Sequence, residues 1–117
     1  MNVYENIVIL NAVLNDEEIE ATITKIKDLI ASQGGEILKV NVWGKKKLAY
    51  EIKKHKKGFY VLFLYKAIPS TIKKLEDFYK VFDAIIKYMI IKLSAKQVHN
   101  LEKAGTVLEP AEQKSEV

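Results

Sequence analysis

Residues 36–65 read EILKVNVWGKKKLAYEIKKHKKGFYVLFLY, and this stretch settles the architecture of the chain. Over residues 36–52 apolar and polar side chains alternate, the period of a strand with one buried face. A lysine run, Lys45, Lys46 and Lys47, interrupts it on the way. Residues 53–58 (KKHKKG) predict a polar tip, and residues 59–65 (FYVLFLY) are apolar enough to be a buried strand. Two strands joined by a short connection make a hairpin.

Working outward from the hairpin, residues 3–10 (VYENIVIL) predict a first strand. Asn15 then stands where a helix N-cap belongs, with Asp16, Glu17 and Glu18 in the first turn, where the helix dipole favours negative charge. Ile19, Ile23, Ile26, Leu29 and Ile30 form one apolar stripe, and Gly34 and Gly35 stop the helix. Beyond the hairpin, Pro69 or Ser70 starts a second helix with an inner face of Ile72, Leu75, Phe78, Tyr79 and Phe82. Residues 84–93 (AIIKYMIIKL) predict the last strand. Strand, helix, hairpin, helix, strand is the split βαβ order, an α+β, ferredoxin-like βαββαβ plan. Right-handed crossovers place the first and third strands at the centre of a four-stranded antiparallel sheet, with both helices on one face. The other face is left bare. On the last strand Ile85, Met89 and Ile91 share one parity and Ile86, Tyr88 and Ile90 the other, so an apolar surface remains for a protein partner, the alternative being cover by the C-terminal tail. Tyr60, Leu62, Ile85, Met89 and Ile91 are the candidates. The domain spans residues 1–93, and residues 94–117 read as a tail, flexible or ordered on a partner, in which Val98, Leu101 and Leu108 could form a short helix.

A chain of 117 residues holds one ordinary core. The absence of cysteine excludes disulfides, thiolate metal sites and a thiol nucleophile, and it suits a reducing cytoplasm. No apolar run approaches the ~18 residues of a membrane span, and no basic, apolar leader opens the sequence. The formal charge is +4, with all 19 cations lysine. Eight of these lysines fall between Lys39 and Lys57 against one acid, Glu51, so the basic character is concentrated in the hairpin. Lysine is a mobile point charge suited to phosphate contact rather than to bidentate reading of a base edge.

Catalytic chemistry finds no support. His55 and His99 share no metal-ligand spacing, and helix-dipole matching accounts for Asp16, Glu17 and Glu18 without a metal. There is no glycine-rich phosphate loop. Residues 57–64 (KGFYVLFL) begin like the aromatic signature of RNA-recognition motifs but carry Val61 and Leu64 where its aromatics belong, so this sheet lacks that stacking platform. No catalytic residue, cofactor or metal is expected.

Tyr4 and Glu5 on the first strand, Gly34 and Gly35, residues 43–50 (WGKKKLAY), Ile52 with Lys53 and Lys54, Gly58 with its aromatic strand, and residues 86–92 (IKYMIIK) together resemble the bacterial small-subunit ribosomal protein S6 family. The resemblance runs from residue 1 to about residue 93. It implies a cytoplasmic, ribosome-bound protein that binds the central domain of small-subunit ribosomal RNA together with a neighbour, ribosomal protein S18. Carried over by position, Tyr4, Lys87 and Lys92 would lie near the RNA, with Lys45, Lys46 and Lys47 as further candidates. Lys54 and Lys56 at the hairpin tip are secondary contacts. Some relatives end in a glutamate-rich tail; here Glu109, Glu112 and Glu116 are scattered. The reading from another class is a regulatory or ligand-binding module that dimerises through the open sheet face.

Overall fold

A computed structural model describes residues 1–103; Leu108 and the rest of residues 104–117 lie outside them. The elements are β1 (Asn2–Asn11), α1 (Asp16–Ser32), β2 (Glu36–Ile52), β3 (His55–Ala67), α2 (Pro69–Val81), β4 (Ile85–Lys92) and α3 (Ala95–Lys103). The strands form one antiparallel sheet in the order β2-β3-β1-β4, so β1 and β3 are central, as the crossover rule requires.

Local chemistry fixes the helices. Asn15 caps α1 through a reciprocal capping box: its Oδ1 accepts from the Glu18 amide at 2.8 Å, and the Glu18 carboxylate accepts from the Asn15 amide at 2.9 Å. The helix stops where Gly34 takes φ +84°, a left-handed conformation that glycine enters without steric cost. Pro69 starts α2 at a position where its missing N–H is not needed. Ile19, Ile23, Ile26 and Ile30 of α1 and Leu75 and Tyr79 of α2 then pack on Val8, Leu10, Val61 and Phe63 of the sheet, which builds the main core.

A polar group is built into that core. Asn6 is fully buried, and its Oδ1 accepts from the hydroxyls of Tyr79 (2.6 Å) and Tyr65 (3.2 Å) while its Nδ2 donates to the Met89 carbonyl at 3.1 Å. One side chain thus ties β1 to β3, α2 and β4. Burial, with lesser contributions from neighbouring Tyr4 and Glu76, drives the Tyr65 phenol well above its ordinary range. Burial likewise raises Tyr79, so both stay neutral donors.

The bare face departs from expectation in three ways. The parity of β4 is not constant. Leu10 pairs with Ile85 but Ile9 pairs with Lys87, so Ile86 is an extra residue in a bulge. Ile85, expected on the partner surface, therefore points into the helix-side core at 3% exposure, and Ile86 crosses to the opposite face against Ile9 and Leu48. Below the bulge Tyr88 and Ile90 pack toward the helices, whereas Met89 (48% exposed) and Ile91 (43%) look outward. Next, the hairpin tip is far tighter than a six-residue loop. Ile52 pairs with His55, leaving Lys53 and Lys54 as a two-residue turn with φ of 49° and 70°. Finally, the face is covered at both ends. Between the pairs Lys47–Lys57 and Ile52–His55, β2 runs through Leu48, Ala49, Tyr50 and Glu51 against Lys56 alone. The surplus lifts β2 into an arm over β1, seating Leu48 on Ile9 and Ile86 and bringing Tyr50 to Lys87 on β4. At the opposite end α3 lays Val98 and Leu101, with Leu93, over Val3, Leu38 and Leu64. The first part of the expected tail is thus a cover on the sheet.

Candidate nucleic-acid interface

The strand pairings decide where each lysine goes. Lys45 and Lys47 lie opposite Phe59 and Lys57, and Lys46 lies opposite Gly58, so Lys46 emerges on the other side of the ribbon from its neighbours. The tight turn folds the tip back on the connection after β1. Lys45, Lys54, Lys56 and Lys57, with His55, line a groove of about 400 Å³ against Asn11, Ala12 and Val13. Lys87 sits outside this group, on β4, where its Nζ donates to the Tyr50 hydroxyl at 3.3 Å and lies 5.7 Å from that ring. Together with Lys53 and Lys80 it lines a second groove. Lys92 belongs to a third, at the far end of the sheet, with Lys66, His99 and the N-terminal Met1.

The lysines of these grooves are not neutralised from within. Among the described residues the single salt bridge is Lys73–Asp77, at 3.8 Å on the exposed side of α2. Charge held in a groove with no carboxylate partner attracts an anion at modest desolvation cost. Among the described residues no group of three or more His, Asp or Glu is assembled.

Tyr4 is placed otherwise than expected. It pairs with Tyr65 and Lys92 on the helix side of the sheet, is 5% exposed, and lies with its ring 5.9 Å from that of Tyr65. Its hydroxyl accepts from the Asn2 side chain at 3.1 Å. The cause is the alternation of β1: Tyr4 has the parity of Asn6, Val8 and Leu10, all of them buried. Of the expected partner surface, Leu62, Met89 and Ile91 stay on the outer face between the two covers, and Tyr60 stacks on Trp43 at 6.3 Å and 17°.

Residues that the sequence did not name as contacts are Lys80 and above all Tyr50. The last carries a ring that is 65% exposed, the largest exposed aromatic surface in the arm.

Residues 3–92 match the family model described as Ribosomal protein S6. The chain belongs to the ribosomal protein S6 family. It is 40% identical over 92 residues to the small ribosomal subunit protein bS6 of Caldanaerobacter subterraneus subsp. tengcongensis, covering 79% of this chain and 97% of that one. To the bS6 of Christiangramia forsetii it is 41% identical over 103 residues, covering 88% and 92%. Among solved structures it is similar to the crystal structure of 30S ribosomal protein S6 from Thermotoga maritima, with a TM-score of 0.79 at 28% identity over 89% of this chain and 96% of that one. Membership makes the chain a structural, non-enzymatic component of the small ribosomal subunit, and so a ribosome-bound protein of the cytoplasm. The α+β, ferredoxin-like reading of the sequence agrees with the sheet order and with this likeness.

Proposed function

We propose that the chain binds the central domain of small-subunit ribosomal RNA beside a neighbouring ribosomal protein, S18, and that its lysine grooves hold the RNA backbone. The observation that carries this reading is the clustering of Lys45, Lys54, Lys56 and Lys57 in one groove with no carboxylate paired to them among the described residues. Lys46 and Lys47 adjoin it along β2, and Lys87 and Lys92 add basic surface in the second and third grooves. The mechanism is electrostatic: each lysine that meets a phosphate releases condensed counterions, and a protein neighbour supplies orientation. The uncovered strip at Leu62, Met89 and Ile91 is an apolar surface of the kind that such a neighbour covers.

Co-sedimentation with small subunits, followed by RNA footprinting with and without S18, tests the reading. Stoichiometric retention after a moderate salt wash is expected. Contact of five or six lysines with phosphate gives a slope of log affinity against log salt of about −4.5 to −5.4, at roughly 0.9 per contact. A flat salt response, or recovery in the soluble pool alone, would refute it. A stable dimer with Met89 and Ile91 buried would favour the dimerising module instead.

A further inference from the structure

The arm of β2 encloses more than a packing contact. Beneath it, between Ile9, Ala49, Tyr50, Ile52, Tyr60 and Lys87, lies an apolar cavity of about 220 Å³ open to solvent. This is below the roughly 300–1,000 Å³ of pockets that hold drug-sized ligands, but it has room for one flat ring. Along the β4 edge it adjoins the groove of Lys53, Lys80 and Lys87, with Lys87 and Tyr88 lining both. Neither lining includes an acidic residue. The site therefore offers an apolar slot, an exposed aromatic ring with a cation at its hydroxyl edge, and two further cations a short way off.

We propose that this pocket takes a single unpaired base of the bound RNA, stacked on Tyr50 beneath the arm, with its phosphate held by Lys53, Lys80 and Lys87. The inference rests on the RNA-binding reading above and deepens it. A planar apolar group attached to an anion answers every feature of the site, whereas an aliphatic side chain from a protein would leave the three lysines unused. Stacking on tyrosine is tolerant of base identity, and Lys87 Nζ and the Tyr50 hydroxyl at the mouth can reach a base edge. The pocket therefore selects an extruded nucleotide, not a sequence. It supplies by a different route the stacking platform that β3 lacks.

The test compares a fully paired RNA hairpin with the same hairpin carrying one unpaired 2-aminopurine, titrated against the full chain and its Y50A, Y50F and Y50W variants. Tyr50 is 65% exposed, so its replacement leaves the core intact, which an unchanged unfolding midpoint verifies. Y50A is expected to lower affinity for the bulged RNA about tenfold or more. It should leave the paired RNA within twofold and abolish the fluorescence quenching of the bound 2-aminopurine, while Y50F and Y50W retain it. Equal affinities of Y50A and the parent chain for both RNAs, with the salt slope preserved, would overturn the base pocket and leave RNA binding standing. Failure of the parent chain to bind either RNA would overturn both.

Discussion

Replacing Asn6 with leucine removes one acceptor and should leave two phenols stranded. Tyr65, Tyr79 and Asn6 are almost wholly shielded from water, and both hydroxyls donate to the same Asn6 Oδ1, at 3.2 and 2.6 Å. A buried polar group left without a partner costs about 1–3 kcal/mol, so two of them cost about 2–6 kcal/mol. The added apolar surface of leucine returns about 1 kcal/mol. A net loss of about 1–5 kcal/mol follows, set against the ~5–15 kcal/mol that holds a small domain together. Urea unfolding followed by circular dichroism measures it. The decisive readout is a double-mutant cycle with Tyr79→Phe. In the parent chain Y79F breaks the 2.6 Å bond and destabilises; in the N6L background it removes a stranded hydroxyl and stabilises. The same sign and size of effect in both backgrounds would refute the view that Asn6 satisfies Tyr79.

Alkaline pH should act through the same cluster. Both phenols have folded-state pKa values raised above the ordinary value near 10. The folded state therefore holds protons that the unfolded chain releases, and the stabilisation, complete below pH 10, declines as pH rises beyond it. The slope is about 1.4 kcal/mol per pH unit for each phenol, and Y79F should halve it in denaturant titrations from pH 9 to 12. Gly58→Ala should cost about 1–3 kcal/mol of stability. A Cβ there would collide with Ile9 Cγ2 and stand 3.3 Å from Leu48 Cδ2, beneath the arm, and an unchanged thermal midpoint would contradict that packing. The pair Lys53→Asn and Lys54→Gly should raise stability by about 1–2 kcal/mol, because both lysines occupy left-handed backbone that asparagine and glycine enter more readily. The same variant should bind RNA less tightly and with a shallower salt slope, since two cations are lost.

The sequence yielded the order of elements because each rests on a local signal. Asn15 with Glu18 capped a helix, Pro69 opened one, and the apolar strand over residues 59–65 could only be interior. The paired centre of the sheet was equally legible, since crossover handedness is a property of all L-chains. What escaped was the assignment of faces. Ile85 was misplaced because a bulge inserts one residue without any mark in the pattern of apolar side chains. Tyr4 was read as surface although its own strand alternates it inward beside Asn6, a residue whose polarity conceals its burial. The crowding of lysines is plain in the chain, but the hairpin groove depends on a two-residue turn formed by Lys53 and Lys54, residue types that ordinarily avoid it.

The distribution of irregularity is itself informative. The β1–β3 pairing runs unbroken through ten pairs, from Asn2–Ala67 to Asn11–Gly58. Every register shift falls on an edge strand, three along β2 and one on β4. A regular centre keeps the helix-side core in register, where a slip of one residue would turn every side chain to the wrong face. The edges carry no such constraint, and there the surplus residues raise the arm and aim Tyr50 at Lys87. A sheet that was regular to its edges would present lysines in two flat rows and a continuous apolar face prone to association. The bulged edges divide the same residues into grooves of charge and an open apolar pocket, so the surface can meet an RNA backbone at several points and still leave Leu62, Met89 and Ile91 for a protein neighbour.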